Sequence, residues 1–488
     1  MFFCYLILAL ASVFESTGVR TPRVETSSGI LHGLEVETAG KKLKVFLGVP
    51  YAQPPVGNLR FREPQPLNTP NIERNSSNFR PSCIQPQHVA SVISPLLHPN
   101  KAELSEDCLF LNIYVPNIDH LNDSLPVMVW LAGEGFDYAD PQQYDGGFLA
   151  VHGQVIVVTV NYRLSAFGFL TSFSDDAPTN NGLYDQRVAL KWVKENINKF
   201  GGNSFNVSLF GRFSGSISAA IQTFSPLSLN ENLFQTVILQ SGFPGGDWDF
   251  NSSPLNLTYD LAKGVDCFSP ELTQIITCLK QKSADEILQA TMRLRSKFRP
   301  TIDYKLINGS IIHTLKTNRY ASIPVMVGLN ENEGTLCTTA LKAMHSEYFE
   351  KFKNGDLSSS DFSYLISFYM NDFFKINSSA ANRLVDFIYK DSKMEAKENF
   401  LRFCGDLFIN SRAESFSIEL ARQNTPLYVY NFDHRPSFSS QPSFITSGHG
   451  DDILFSLGLT FQIEDLPVKE VSLTKKIISS FVNFAKTG

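Results

Sequence analysis

The stretch that most constrains the fold is Val207–Ala219, V-S-L-F-G-R-F-S-G-S-I-S-A. Val207–Phe210 is apolar and partly β-branched, so it reads as a strand. Gly211 and Gly215 bracket a tight turn, and Ser216–Phe224 reads as a helix laid back on that strand. A strand, a glycine-flanked turn and a helix form the elbow G-x-S-x-G, which presents its central side chain over a pocket. Here the central residue is Phe213. A phenyl ring has no lone pair to attack with and no proton to give up, so it cannot form an acyl-enzyme. With no serine to present, the usual strain of such a turn has no catalytic return, and a relaxed elbow is expected.

Around this stretch, strand-like runs recur at Val127–Leu131, Val155–Val160, Thr236–Gln240, Val325–Leu329 and Leu427–Phe432. Between two of them, Asn181–Phe200 carries Leu183, Val188, Leu190, Trp192, Val193 and Ile197 at helical spacing. Strands alternating with helices predict an α/β fold, a mostly parallel sheet covered on both faces, with any ligand at the carboxyl ends of the strands. No repeat or low-complexity linker divides the 488 residues. One domain over residues 18–488 is therefore the expectation.

The net charge of −6 is spread without long runs, and the basic stretch Lys41–Lys44 is short, so no nucleic-acid partner is expected. Phe2–Phe14 is apolar but too short to span a bilayer, and Ala9-Leu10-Ala11 offers a small-residue cleavage pattern. Residues 1–17 are read as a secretory signal peptide, with no membrane span elsewhere. Cys4 falls in that segment, leaving Cys83, Cys108, Cys267, Cys278, Cys337 and Cys404, whose connectivity spacing alone does not assign. Sequons at Asn75, Asn122, Asn206, Asn251, Asn256, Asn308 and Asn377 fit a secreted glycoprotein.

Several further stretches resemble the type B carboxylesterases, the family that includes the cholinesterases. Phe46-Leu47-Gly48-Val49-Pro50-Tyr51-Ala52, Pro54-Pro55-Val56-Gly57 and Arg60-Phe61 look like its opening motif. Glu106-Asp107-Cys108-Leu109-Phe110-Leu111-Asn112-Ile113 resembles its second signature. Asn161-Tyr162-Arg163-Leu164, Gly182-Leu183-Tyr184-Asp185-Gln186 and Phe200-Gly201-Gly202-Asn203 are similar too. The resemblance implies an α/β-hydrolase fold with a central, mostly parallel mixed sheet and a pocket reached by a gorge. It also implies disulfides Cys83–Cys108 and Cys267–Cys278. Cys337 and Cys404 have no family partner and are read as small buried hydrophobes.

The family hydrolyses carboxylic esters with a Ser, Glu, His triad. Carried over residue by residue, the acid is Glu333 in Gly328–Gly334 and the base is His449 in Gly448-His449-Gly450-Asp451-Asp452. The nucleophile position is Phe213. The oxyanion-hole positions are Glu134, Gly135 and Ser214, and Ala132-Gly133-Glu134-Gly135 stands where the family usually has His-Gly-Gly-Gly. Glu134 brings bulk and charge to the place where an oxyanion would develop; two like charges ~4 Å apart cost ~4 kcal/mol at an effective dielectric of ~20. Arg212 stands where an acid usually precedes the nucleophile, so Glu134 and Arg212 are expected to form a compensating ion pair. The cholinesterase tryptophan that stacks on choline has no counterpart in Leu97-His98-Pro99-Asn100, so a choline substrate is not supported.

These substitutions point to a secreted esterase-like protein without esterase activity, a binding or interaction module. Its partner would be an extracellular protein or a small apolar, ester-like ligand, and no cofactor or metal is implied. The alternative is a residual ester hydrolase using Ser214, one residue late in the turn, or a water activated by His449.

Overall fold

The computed structural model describes residues 21–86, 102–117, 124–245, 250–317, 320–373, 376, 379–389 and 393–488. The signal-peptide reading, the segment Leu97–Asn100 and the sequons Asn122 and Asn377 lie outside the described residues.

Nine strands form the central sheet: β1 (Leu34–Thr38), β2 (Lys41–Pro50), β3 (Phe110–Pro116), β4 (Leu125–Leu131), β5 (Ile156–Val160), β6 (Gly202–Arg212), β7 (Thr236–Gln240), β8 (Val325–Asn330) and β9 (Leu427–Phe432). Their spatial order is β9-β8-β7-β6-β4-β5-β3-β2-β1. The six from β4 to β9 run parallel, whereas β1, β2 and β3 pair antiparallel at one side. This is the mixed sheet of an α/β-hydrolase, as the motifs implied.

The interior strands read as unbroken apolar runs because both faces are buried. In β4, Val127, Val129 and Leu131 join one core, and Met128 and Trp130 the other. The helices Asn181–Asn196 and Ser214–Phe224 cover the first face with Leu183, Leu190, Ile217 and Ile221. Helices Gly147–Gly153, Asp451–Ser456 and Val468–Thr487 cover the second with Leu149, Ile453, Leu454, Ile478 and Phe481.

The family-like stretches have physical jobs in this scaffold. Asp185 accepts from Nε of Arg163 at 2.8 Å and from its Nη2 at 2.7 Å, a fully buried bidentate pair that joins two of the motifs. Arg60 pairs with Glu106, Nε to Oε2 at 2.7 Å, tying the opening motif to the second signature.

Several expected boundaries shift. The elbow strand starts at Gly202, not Val207, because residues 203–206, polar except for the exposed Phe205, continue it past a register break against β4. The elbow helix starts at Ser214, directly after the turn. The helix expected over 181–200 is α-helical to Asn196 and closes with a tighter turn, Ile197–Phe200.

Cys83–Cys108 and Cys267–Cys278 are disulfide-bonded. The reading of Cys337 and Cys404 as unpaired is corrected: they form a third disulfide, with α-carbons 6.1 Å apart. Their separation of 67 positions carries no signal of proximity in the sequence.

Candidate functional site

The parallel strands deliver their carboxyl ends to one edge of the sheet. Leu131 runs into the Ala132–Gly135 loop, Arg212 into Phe213, Gln240 into Ser241, and Asn330 into Glu333. Asn332 and Gly448 form a bridge that brings the His449 loop alongside.

The elbow is strained. Phe213 sits at φ 48° and ψ −113°, so the relaxed turn expected from the lost serine is not found. Such backbone costs about 1–3 kcal/mol in a residue other than glycine. Packing dictates it here. A Cβ on Gly215 would lie 2.0 Å from the carbonyl oxygen of Leu131, and one on Gly242 would lie 2.1 Å from that of Phe213. The Phe213 N–H donates to the Gln240 carbonyl at 3.0 Å, and its own carbonyl accepts from the Ile217 N–H at 2.8 Å. Ser216 Oγ donates to the Gly242 carbonyl at 2.5 Å and pins the loop that presses on the turn. The turn therefore keeps its form whatever side chain stands at its tip.

The Phe213 ring is buried and meets the imidazole of His449 edge-on, centroids 5.2 Å apart at 85°. Behind the imidazole, Nδ1 of His449 lies 2.5 Å from Oε2 of Glu333. Oε1 of Glu333 accepts from Ser241 Oγ at 2.5 Å and from the Asn330 N–H at 2.7 Å. Burial alone would raise the Glu333 pKa, but His449 and these donors outweigh it and hold the carboxyl below its ordinary value. The His449 N–H donates to Thr335 Oγ1 at 2.7 Å. Nε2 of His449 is buried with no hydrogen-bond partner in the protein. Glu333 and His449 thus keep the orientation of an acid–base pair, and the ring packed edge-on against the imidazole is the phenyl of Phe213.

The oxyanion-type loop is closed on itself. The Glu134 N–H donates to the Tyr138 carbonyl at 2.7 Å, and the Glu134 carbonyl accepts from the N–H groups of Asp137 and Tyr138, both at 3.2 Å. Glu134 and Arg212 form the expected ion pair, with side chains 10% and 4% exposed. Arg212 Nη2 also donates to the His449 carbonyl at 3.4 Å. Its guanidinium lies flat on Gly450, where a Cβ would come within 2.5 Å of it. Burial would lower the Arg212 pKa, but Glu134 and the nearby Tyr144, Asp452 and Glu333 raise it, so the cation is secure. Arg212 therefore straps the oxyanion loop to the histidine loop.

Ser214 is buried, and its Oγ accepts from the Phe136 N–H at 3.1 Å, a bond that fixes it against the oxyanion loop. Beside His449, burial lifts Asp451 to a pKa of about 6, although it accepts from the Gly448 N–H at 2.8 Å. Asp452 accepts from Tyr430 Oη at 2.6 Å, Gln240 Nε2 at 2.9 Å and Asn330 Nδ2 at 3.0 Å. Ser241 and Thr335 fell outside the motifs, and Asn330 and Asp452 lay within them without being given a role. The neighbourhood of Asp452 to His449, and of Asn330 and Thr335 to Glu333, could have flagged three of them. Among the described residues no group of three or more His, Cys, Asp or Glu side chains is placed to hold a metal ion, and no helix is long and apolar enough to cross a membrane.

Sheet order and elbow together define an α/β-hydrolase scaffold. Residues 20–488 match the model of the carboxylesterase family, to which the chain belongs. It is 32% identical over 502 residues to carboxylesterase 1C of Rattus norvegicus, covering 100% of this chain and 90% of the relative. Liver carboxylesterase of Sus scrofa is 32% identical over 509 residues, covering 99% and 88%. Cholinesterase of Mus musculus is 32% identical over 484 residues, covering 95% and 78%.

Proposed function

We propose that this chain is a secreted, catalytically inactive carboxylesterase-family protein that acts as an extracellular binding or interaction module. The observation that carries the reading is the buried phenyl ring of Phe213 at the elbow tip, edge-on to His449. No nucleophilic atom stands opposite Nε2, so the acyl-enzyme route is closed. The Arg212–Glu134 pair and the Glu134 N–H turned to Tyr138 support the same conclusion, because a carboxylate held at the oxyanion position opposes developing negative charge. Three disulfides fit an oxidising compartment, and the apolar N-terminal segment and the sequons fit secretion. Sites at the carboxyl ends of the strands remain the place for a small apolar ligand.

The test is turnover of short-chain aryl esters by the purified protein, together with labelling by a serine-directed phosphonate. Neither turnover nor adduct is expected. Hydrolysis that disappears in His449→Ala, or an adduct on Ser214, overturns the reading.

A second reading is residual hydrolysis by a water that His449 activates. It is favoured by the intact Glu333–His449 bond and the unpartnered Nε2. It predicts slow turnover that survives Ser214→Ala and is lost in Glu333→Gln.

A further inference from the structure

On the surface far along the chain from the elbow, helix Pro254–Gly264 carries Asn256, Tyr259, Asp260 and Lys263 at i, i+3, i+4 and i+7, one face of the helix. That face borders a shallow, open hollow flanked on its other side by Phe268 and Pro270. Phe268 is 58% exposed, its ring 5.5 Å from Lys263 Nζ and, centroid to centroid, 6.2 Å from Tyr259. The neighbouring Cys267–Cys278 bond anchors the loop that presents it. An aromatic ring flanked by a cation and a carboxylate is suited to the mixed surface of a sugar, whose C–H face packs on a ring while its hydroxyls find charged partners.

Asn256 heads the sequon Asn256-Leu257-Thr258 and is itself exposed on the rim of this hollow. We propose that Asn256 carries an N-linked glycan and that its first N-acetylglucosamine residues lie in the hollow against Phe268 and Tyr259. The attachment is a group transfer from a lipid-linked pyrophosphate oligosaccharide. The sugar C1–O bond to the pyrophosphate breaks, C1 bonds to Asn256 Nδ2, and the displaced proton leaves with the lipid pyrophosphate. It takes place before folding is complete, because Thr258 is afterwards buried, its Oγ1 donating to the Thr171 carbonyl at 2.8 Å. The sequon hydroxyl thus serves the transfer first and locks the helix later. Five positions upstream, the Asn251 sequon differs. Its Nδ2 is buried and its Oδ1 accepts from the Ser253 N–H at 3.0 Å, so in the folded chain the atom that a sugar would bond is covered.

The inference rests on the reading that the chain is secreted. The full chain is expressed in a secreting eukaryotic host, and each sequon is assigned by glycopeptide mass spectrometry. Asn256 is expected occupied and Asn251 empty. On native protein, glycosidase release at Asn256 is expected to be several-fold slower than in Phe268→Ser, with equal rates after denaturation and unchanged occupancy. Secreted protein with Asn75 filled and Asn256 empty overturns the proposal alone. Equal native release rates overturn the docking. Retention in the cell with every sequon empty overturns the secretion reading and this inference with it.

Discussion

The two halves of the candidate site are held in place differently. On one side, Glu333 and His449 keep their mutual geometry, backed by Ser241, Asn330 and Thr335. On the other, Phe213 stands at the elbow tip, and Glu134 and Arg212 form a buried ion pair beside it. The contrast shows what holds each half in place. A buried carboxylate without its partners is costly, so Glu333 requires its imidazole and its donors for stability whether or not they do chemistry. The tip of the elbow is bound by no such requirement. Its strained backbone is held by contacts at Gly215 and Gly242, and its side chain is free to become apolar.

Breaking the strap has the largest expected effect. Arg212→Met leaves Glu134 as an unpaired, nearly buried carboxylate, and a loss of about 3–5 kcal/mol is expected in urea unfolding. Arg212→Met with Glu134→Leu recovers most of it. A loss under about 1 kcal/mol in the single variant shows that the pair is no more than a surface contact.

Changing the elbow half comes next. Phe213→Ser alone is expected to stay without turnover, because Arg212 and Glu134 still occupy the oxyanion side. Phe213→Ser with Glu134→Gly and Arg212→Glu is expected to exceed it by at least ~100-fold in aryl ester hydrolysis, the usual worth of one oxyanion donor. Equal rates in the two variants sink the idea that the strap blocks catalysis.

Two carboxyls of the Glu333–His449 half pull stability in opposite directions with pH. Glu333, held below its ordinary pKa, contributes stability that is present above the unfolded value of ~4.3 and lost as pH falls through the folded value. Asp451, raised to about 6, binds its proton more tightly when folded, so its contribution is greatest in acid and is lost as pH climbs from ~4 to about 6. Asp451→Asn is therefore expected to gain up to about 3 kcal/mol at pH 7 and nothing at pH 3.5. Parallel stability curves for the variant and the parent across that window contradict this.

The smallest effect tests the support of the imidazole. Thr335→Val removes the acceptor for the His449 N–H and is expected to cost about 1 kcal/mol. Full stability would mean that the histidine loop stands without this bond.

Much of the scaffold was legible because its strands are buried on both faces. Thr236–Gln240, buried throughout, appears within the bounds that its apolar run predicts, whereas the half-exposed edge strand Leu427–Phe432 is found in its expected place through its β-branched and aromatic residues alone. Less legible were elements whose residues face water. Lys41–Lys44 reads as a charged patch, yet it opens β2, which pairs with the edge strand β1. The polar start of β6 was hidden for the same reason. At the site, motif positions located Glu333, His449, Phe213 and the Glu134–Arg212 pair. Ser241 and Thr335 act through contacts with residues far along the chain, for which no local pattern exists, whereas the bond from Asn330 to Glu333 is local and lies within the acid motif. The elbow's strain was misjudged because it was assigned to catalysis, when the glycines packed around it enforce it.

The bond between Cys337 and Cys404 closes a loop that starts four positions after Glu333 and takes in the helices Ser346–Asn354 and Ser359–Phe368. A cut by a protease anywhere inside that loop would leave both fragments covalently joined. The chain would migrate as one piece on a non-reducing gel and as two after reduction, while the acid and the base stayed on opposite sides of the nick, still tethered through sulfur.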